Sequence, residues 1–160
     1  MKLIDFTESI HSDQWEIVND AVMGGCSDGQ FSSPGRQPAV FQGTVSLENN
    51  GGFTLVRRRF DPLDVSPYTQ LKIRLRGDGK RYQFRVKSDA EEKHAYIQYF
   101  DTTGDWQTVI LDLADQYPTY KGRRLDLPNY PGQTLSEVGF LIGNGNEVAF
   151  RLELESVDLG

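Results

Sequence analysis

The chain has 160 residues, of which 38% are apolar and 25% charged, and its formal net charge is −6. These values fit one globular domain, residues 1–160, and exclude a disordered chain. No apolar run approaches the roughly 20 residues of a spanning helix, so we expect no membrane insertion. The negative charge argues against nucleic-acid binding, because cationic contacts to phosphate dominate that affinity. A single cysteine, Cys26, excludes an internal disulfide.

The first residues predict a short strand over positions 3–6 rather than the longer apolar core of a secretory signal. Acidic residues follow at once, at Asp5, Glu8 and Asp13, which is not typical of a mitochondrial presequence. We therefore expect a cytoplasmic protein. A helical pattern is confined to two short stretches, residues 7–15 and 113–117.

Apolar and polar residues alternate with period two in most of the remaining chain, which predicts strands with one buried and one solvated face. The predicted strands are residues 39–47, 52–60, 71–75, 82–86, 94–100, 107–113, 138–142 and 150–154. Residues 19–38 and 118–134 lack this pattern and are predicted to be long loops. An Asp-Gly pair within residues 77–80 predicts a hairpin turn. Many short strands with few helices predict an all-β fold, an antiparallel sandwich or jelly roll.

Residues suited to catalysis are sparse. The histidines are His11 and His94, and we expect His94 on a solvated strand surface. Cys26 lacks the local signature of a cysteine hydrolase, and Cys and His spacing fits no zinc site. A hydrolase built on two carboxylates stays open, because sequence does not give their separation. We expect a non-enzymatic protein with no catalytic residue, no metal and no cofactor.

Charge is distributed unevenly along the chain. From Arg57 to Lys87 there are ten basic and three acidic residues, so this segment carries +7 and the remainder −13. One interpretation is a solvated sheet face whose charges protect its edges. The other is a concave sheet face that binds a polar ligand or an acidic partner through arginine forks and aromatic stacking. The candidate residues of that face are Arg74, Gln83, Arg85, Tyr96 and Gln98.

A polar, glycine-rich segment covers residues 15–27. Its Asn and Asp side chains can bond nearby backbone amides, and its paired glycines permit positive φ angles. This composition predicts a loop of defined shape, which either covers one end of the sandwich or recognises a partner. The candidate binding residues of the loop are Asn19, Asp20, Met23, Gly24, Gly25 and Ser27.

The same loop, Asn19-Asp20-x-x-Met23-Gly24-Gly25-x-Ser27, resembles the signature of the complex I intermediate-associated protein 30 family. Further similar blocks follow in order: Phe41-x-Gly43, Gly51-Gly52-Phe53, Arg57, Arg76-Gly77-Asp78-Gly79, Tyr82, Trp106, Gly122-Arg123, Glu137-Val138-Gly139-Phe140 and Phe150-x-Leu152-x-Leu154. The resemblance spans nearly the whole chain and implies a galactose-binding-domain-like jelly-roll sandwich. We interpret the chain as a stand-alone, bacterial member.

Mitochondrial members of that family are non-catalytic assembly factors of respiratory NADH:ubiquinone oxidoreductase. The resemblance therefore implies a chaperone-like assembly helper that engages a protein partner, either a respiratory-complex subunit or an assembly intermediate. The family also resembles carbohydrate-binding modules of the same fold. A glycan bound to the concave sheet face is thus the alternative partner.

Overall fold

The computed structural model describes residues 1–8, 14–19, 27–46, 52–143 and 148–160. Within these ranges the backbone forms two antiparallel sheets and a short 3₁₀ turn, Leu113–Asp115. The strands are β1 Lys2–Asp5, β2 Glu16–Asn19, β3 Asp28–Ser32, β4 Ala39–Val45, β5 Thr54–Asp64, β6 Gln70–Arg76, β7 Arg81–Lys87, β8 Ala95–Asp101, β9 Trp106–Asp112, β10 Tyr117–Tyr120, β11 Arg123–Arg124, β12 Thr134–Ile142 and β13 Val148–Leu159. Among the described residues, no helix has the length and apolar character needed to cross a membrane.

The strands divide into a six-stranded and a seven-stranded sheet. The first has the order β3-β4-β13-β6-β9, with β1 also paired to β13. The second has the order β11-β10-β8-β7-β12-β5-β2. Strand β12 therefore lies between β7 and β5, although these three strands are far apart in the sequence. This non-local pairing determines which side chains meet on the surface.

A single apolar core fills the space between the two sheets. Strand β6 illustrates how the core forms from alternating side chains. Leu71, Ile73 and Leu75 are fully buried, while the intervening side chains point outward. Side chains alternate between the two faces of a strand, so each sheet contributes one apolar face to the core. The largest fully buried side chains include Tyr82, Phe6, Phe41, Phe84 and Phe140.

The prediction of an all-β antiparallel sandwich is confirmed, and each of the eight predicted strand segments contains a strand. The prediction of two long loops is wrong, because β3 lies in the first, and β10 and β11 lie in the second. Strands β3 and β11 lie at sheet edges, and β10 pairs with only two residues of β11, so an alternating apolar pattern is not required of them. Only residues 113–115 of the second predicted helical stretch form a helical turn. Most of the first, residues 9–13, lies outside the described residues.

The predicted hairpin at residues 77–80 is also wrong. These residues lead from β6 in the six-stranded sheet to β7 in the seven-stranded sheet, and so they connect the two layers. The Asp78 carboxylate accepts hydrogen bonds from the Tyr82 hydroxyl at 3.0 Å and from the Arg151 backbone N–H at 2.9 Å. These contacts tie the connection to β7 and β13, an arrangement that no local turn signal encodes.

Gly77, in this connection, packs closely against Thr102 in the next connection between the layers. A Cβ atom at position 77 would lie 2.2 Å from Cβ of Thr102. The Thr102 hydroxyl donates to the Lys80 carbonyl at 2.7 Å, which holds that side chain in place. We expect Gly77→Ala to lower the free energy of unfolding by about 1–3 kcal/mol in urea denaturation, the usual cost of overpacking.

Gly104, in the next connection between the layers, provides the matched control. A Cβ atom there would have no atom within 4 Å. Gly104→Ala should therefore change the free energy of unfolding by less than about 0.5 kcal/mol. Similar losses for the two alanine variants would contradict the close contact between Gly77 and Thr102.

Candidate binding site

The outward face of the seven-stranded sheet carries three rows of side chains across its strands. Directly opposed residues of antiparallel strands lie on the same face, so the register defines these rows. Their neighbours along the strands, such as Phe84, Val138 and Val56, are fully buried in the core, which makes the rows outward-facing. The middle row is Ile97, Arg85, Gly139, Arg57 and Glu16; one flanking row is Lys87, Glu137 and Arg59; the other is Tyr99, Gln83, Leu141, Leu55 and Val18.

Two of the arginines in these rows form ion pairs. Arg57 donates from Nε and Nη2 to the Glu16 carboxylate at 3.2 and 3.3 Å. Arg59 donates from Nε to Oε1 of Glu137 at 2.7 Å. The hydrogen bond from Arg57 lowers the pKa of Glu16, and the hydrogen bond to Glu137 raises the pKa of Arg59. Both carboxylates of the three rows are thus already paired.

The other two cations of the rows have neutral partners. Arg85 donates from Nη1 to the side-chain carbonyl of Gln83 at 3.0 Å, and Lys87 donates to the Glu92 backbone carbonyl at 2.8 Å. Burial lowers the pKa of Arg85 and of Lys87, and Arg57 contributes further in both cases. Among the residues that the structure describes, Arg85 has no ion-pair partner. The rows therefore present a positively charged surface.

Gly139 separates Arg85 from Arg57 in the middle row. It carries no side chain, and a Cβ atom there would lie 3.0 Å from the Val56 carbonyl oxygen and 3.4 Å from Cβ of Arg57. Cδ1 of Leu55 would lie 3.1 Å from the same Cβ position, so the Leu55 side chain borders the Gly139 backbone between the two arginines. Adjacent strands are about 4.8 Å apart, so the two arginine backbones are separated by about 10 Å. We call Arg57, Gln83, Arg85 and Gly139 the arginine site.

Two tyrosines lie on the same face beside the arginine site. Tyr99 is 42% exposed, and the Arg81 guanidinium lies 5.6 Å from its ring centroid. Tyr117 pairs with Ile97 across the neighbouring strands, and the Arg124 guanidinium lies 4.3 Å from its ring centroid. The face thus combines cations with accessible aromatic surface.

The five predicted face residues do not lie together. The structure places Gln83 and Arg85 side by side on the outward face. Tyr96 and Gln98 share a face with each other, but it is the inward face, since they oppose Val86 and Phe84 in the register. The prediction that these two residues belong to the binding face is therefore wrong, because period-two alternation does not say which face is buried.

The inward contacts of Tyr96 also correct the expectation for His94. Tyr96 packs against Tyr130 with ring centroids 5.3 Å apart. The His94 ring nitrogen Nε2 lies 3.1 Å from the Tyr96 hydroxyl and 3.3 Å from the Glu92 carboxylate. His94 is therefore partly buried in a polar cluster rather than on a freely solvated strand surface.

Arg74 lies on the opposite side of the molecule. It belongs to β6 of the six-stranded sheet, where Nε lies 3.8 Å from the Glu155 carboxylate and the guanidinium 5.9 Å from the Trp106 ring centroid. Its assignment to the same face as Arg85 is wrong, because β6 and β7 belong to different sheets. Arg57, Gly139 and Tyr99 were missed as site residues, because no spacing along the chain reveals that β12 separates β5 from β7.

The structure describes only some of the candidate loop residues. Asp20, Met23, Gly24 and Gly25 lie outside the described residues, and for Asn19 the structure describes only the backbone, at the end of β2. Ser27 is buried, and its hydroxyl accepts a hydrogen bond from the Ser46 N–H at 2.9 Å. The Ser27 side chain therefore connects two chain segments rather than facing a partner.

A pocket of about 240 Å³ lies away from the arginine site, at the 3₁₀ turn. It is lined by Ser66, Tyr68, Thr69, Leu113, Ala114, Tyr130, Pro131, Gly132 and Gln133. Its titratable side chains are Tyr68 and Tyr130, and burial raises the pKa of Tyr130. In the described parts of the chain, no three His, Cys, Asp or Glu residues cluster closely enough to hold a metal ion.

Comparison with protein families identifies the domain. Residues 4–154 match the family model of Complex I intermediate-associated protein 30 (CIA30). The chain belongs to the CIA30 family. It is 24% identical over 175 aligned residues to the mitochondrial CIA30 protein of Mus musculus, and the alignment covers 95% of this chain. The chain spans about half, 53%, of that curated relative.

Solved structures show the same fold. A family 11 carbohydrate-binding module from Clostridium thermocellum, in complex with a β-1,3-1,4-mixed-linked tetrasaccharide, is similar with a TM-score of 0.70. The sequences are 12% identical, and the match covers 99% of this chain and 94% of the module. A CBM4 structure is similar with a TM-score of 0.56 and 12% identity, covering 91% of this chain and 85% of that one. The CIA30 domain is therefore an all-β, two-sheet antiparallel sandwich that resembles the jelly-roll folds of CBM11 and CBM4.

Proposed function

We propose that this CIA30 domain is a non-enzymatic, chaperone-like assembly helper that holds a protein partner on the outward face of its seven-stranded sheet. The partner is a subunit or an assembly intermediate of respiratory complex I. The observation that carries the proposal is the family match over residues 4–154. The surplus of cations on the face, where Glu16 and Glu137 are already paired, supports a protein partner that brings its own negative charge.

The experiment is deletion of the gene in its own organism, followed by measurement of assembled complex I on native gels and of NADH:ubiquinone oxidoreductase activity. We expect both to fall and to recover when the wild-type gene is restored. The other respiratory complexes serve as controls and should keep their amounts. Unchanged complex I in the deletion strain would overturn the proposal.

Carbohydrate binding is the second candidate function, and the tyrosines on the same face favour it. Tyr99 offers an exposed ring of the kind that stacks on the apolar faces of sugars, and Tyr117 lies half-buried on the same face. The structurally similar family 11 module was solved in complex with a β-1,3-1,4-mixed-linked tetrasaccharide. Calorimetric titration with that tetrasaccharide tests this function, and heat of binding that disappears in a Tyr99→Ala variant would support it.

A further inference from the structure

The arginine site contains a cation, Arg85, that forms no ion pair with any of the described residues. Arg85 is partly buried, and its hydrogen bond to Gln83 engages a neutral oxygen at 3.0 Å. A guanidinium has five N–H donors arranged in a planar fork, and a carboxylate matches two of them at once. The ligand group that fits Arg85 best is therefore a carboxylate.

The position of Gly139 leaves space for that carboxylate. Gly139, which has no side chain, lies between Arg85 and Arg57, whose backbones are separated by about 10 Å, and the Leu55 side chain borders this gap. Arg57 is engaged in its ion pair with Glu16 on the other side of β5, so Arg85 is the cation available to a ligand in this gap. An anion above Gly139 would lie between the strands that carry Arg85 and Arg57.

The rows beside the arginine site indicate what carries the carboxylate. Leu141, Leu55 and Val18 form an apolar run along one flank, with Tyr99 at its end. On the other flank, Lys87 and Arg59 lie on either side of Glu137, which pairs with Arg59, so this row adds one net positive charge. An extended peptide whose acidic residue is flanked by apolar residues complements both features, whereas a neutral glycan supplies no negative charge.

We infer that the arginine site is a recognition site for an Asp or Glu side chain of an extended, acidic and apolar segment of the partner protein. This inference rests on the proposed function, since it specifies how that partner is held. Arg85 supplies the fork that binds the carboxylate, Gln83 orients Arg85, and the absence of a side chain at Gly139 leaves room for the carboxylate beside Leu55.

The binding experiment selects peptides from a random displayed library on the wild-type protein and on two variants. Arg85→Gln removes the fork, and Arg74→Gln removes an arginine from a strand of the opposite sheet as the matched control. We expect enrichment of acidic residues with the wild type and with Arg74→Gln. The best peptide should lose about tenfold to a hundredfold in affinity on Arg85→Gln, as for a hydrogen bond to a charged group.

The same peptide with its acidic residue replaced by the corresponding amide completes the comparison. It should bind the wild type as weakly as the acidic peptide binds Arg85→Gln, with little further loss when both changes are combined. Melting curves will confirm that both variants fold. Peptides without acidic enrichment, or full affinity for Arg85→Gln, would overturn the inference, as would Arg85-dependent binding of oligogalacturonate with no peptide selected.

Complementation of the deletion strain separates this inference from the proposed function. If wild-type and Arg74→Gln genes restore complex I but Arg85→Gln does not, the inference is supported in the cell. If Arg85→Gln restores complex I fully, the inference fails while the assembly role stands. If deletion leaves complex I unchanged, the assembly role fails, and the peptide selection alone decides whether the site binds acidic segments.

Discussion

Phe140→Ala will lower the free energy of unfolding by about 3–5 kcal/mol, the range for removing a buried aromatic side chain. Phe140 is fully buried in β12, the strand that joins β7 to β5. Its ring packs edge-on against Phe84 with centroids 5.3 Å apart and lies 6.4 Å from the Trp15 ring. Because whole domains are stable by only about 5–15 kcal/mol, this loss is a large part of the total.

The control is Leu141→Ala, the next residue of the same strand. Leu141 points outward and is only partly buried, so its loss should be below about 1.5 kcal/mol. Urea denaturation followed by fluorescence measures both changes, and Trp15 beside Phe140 reports directly on the core. A loss for Phe140→Ala no larger than that for Leu141→Ala would show that the inward and outward faces of β12 have been assigned the wrong way round.

Local patterns predicted most of the strands because each central strand has one apolar side. The alternation of Leu71, Ile73 and Leu75 is sufficient to define β6, and its burial confirms the prediction. Local patterns do not show which of the two sheets a strand joins. The Asp-Gly turn after β6 predicted a hairpin, yet the chain crosses to the other layer, where Asp78 bonds to Arg151 of β13. No signal within the turn encodes a partner so distant in sequence.

The candidate site was predictable only in part for the same reason. Gln83 and Arg85 were found because they occupy the polar positions of a clear alternation, and they do face outward. Tyr96 and Gln98 also alternate, but strand β8 buries that side, and β8 contains apolar residues on both faces. Arg57 and Gly139 belong to the arginine site because β12 pairs with both β5 and β7. This pairing depends on the whole fold.

The organisation of charge on the outward face also has consequences for stability. Glu137 is 3% exposed and accepts the hydrogen bond from Arg59. Its negative charge also favours the charged forms of Arg85 and Lys87. One carboxylate thus compensates cations on two neighbouring strands. Replacing it with an amide of the same shape would leave these cations facing one another.

We expect Glu137→Gln to lower the free energy of unfolding by about 2–4 kcal/mol. Breaking a fully buried ion pair costs about 3–5 kcal/mol, and the Arg59 side chain is 45% exposed, which reduces the cost through solvent screening. Urea denaturation at low salt measures the loss. Glu16→Gln is the control, because the Glu16 side chain is 59% exposed in its pair with Arg57, and its loss should be below about 1 kcal/mol.

Anions should recover part of this loss and should bind the variant more tightly. Sulfate can take the place of the missing carboxylate among the cations, so Glu137→Gln should gain more stability from sodium sulfate than the wild type gains. The acidic peptide selected on the wild type should also bind Glu137→Gln more tightly, since a competing carboxylate has been removed. Glu137 would then stabilise the fold while weakening the binding of acidic ligands at this face. Equal stabilities of the two glutamine variants, or weaker peptide binding by Glu137→Gln, would contradict this account.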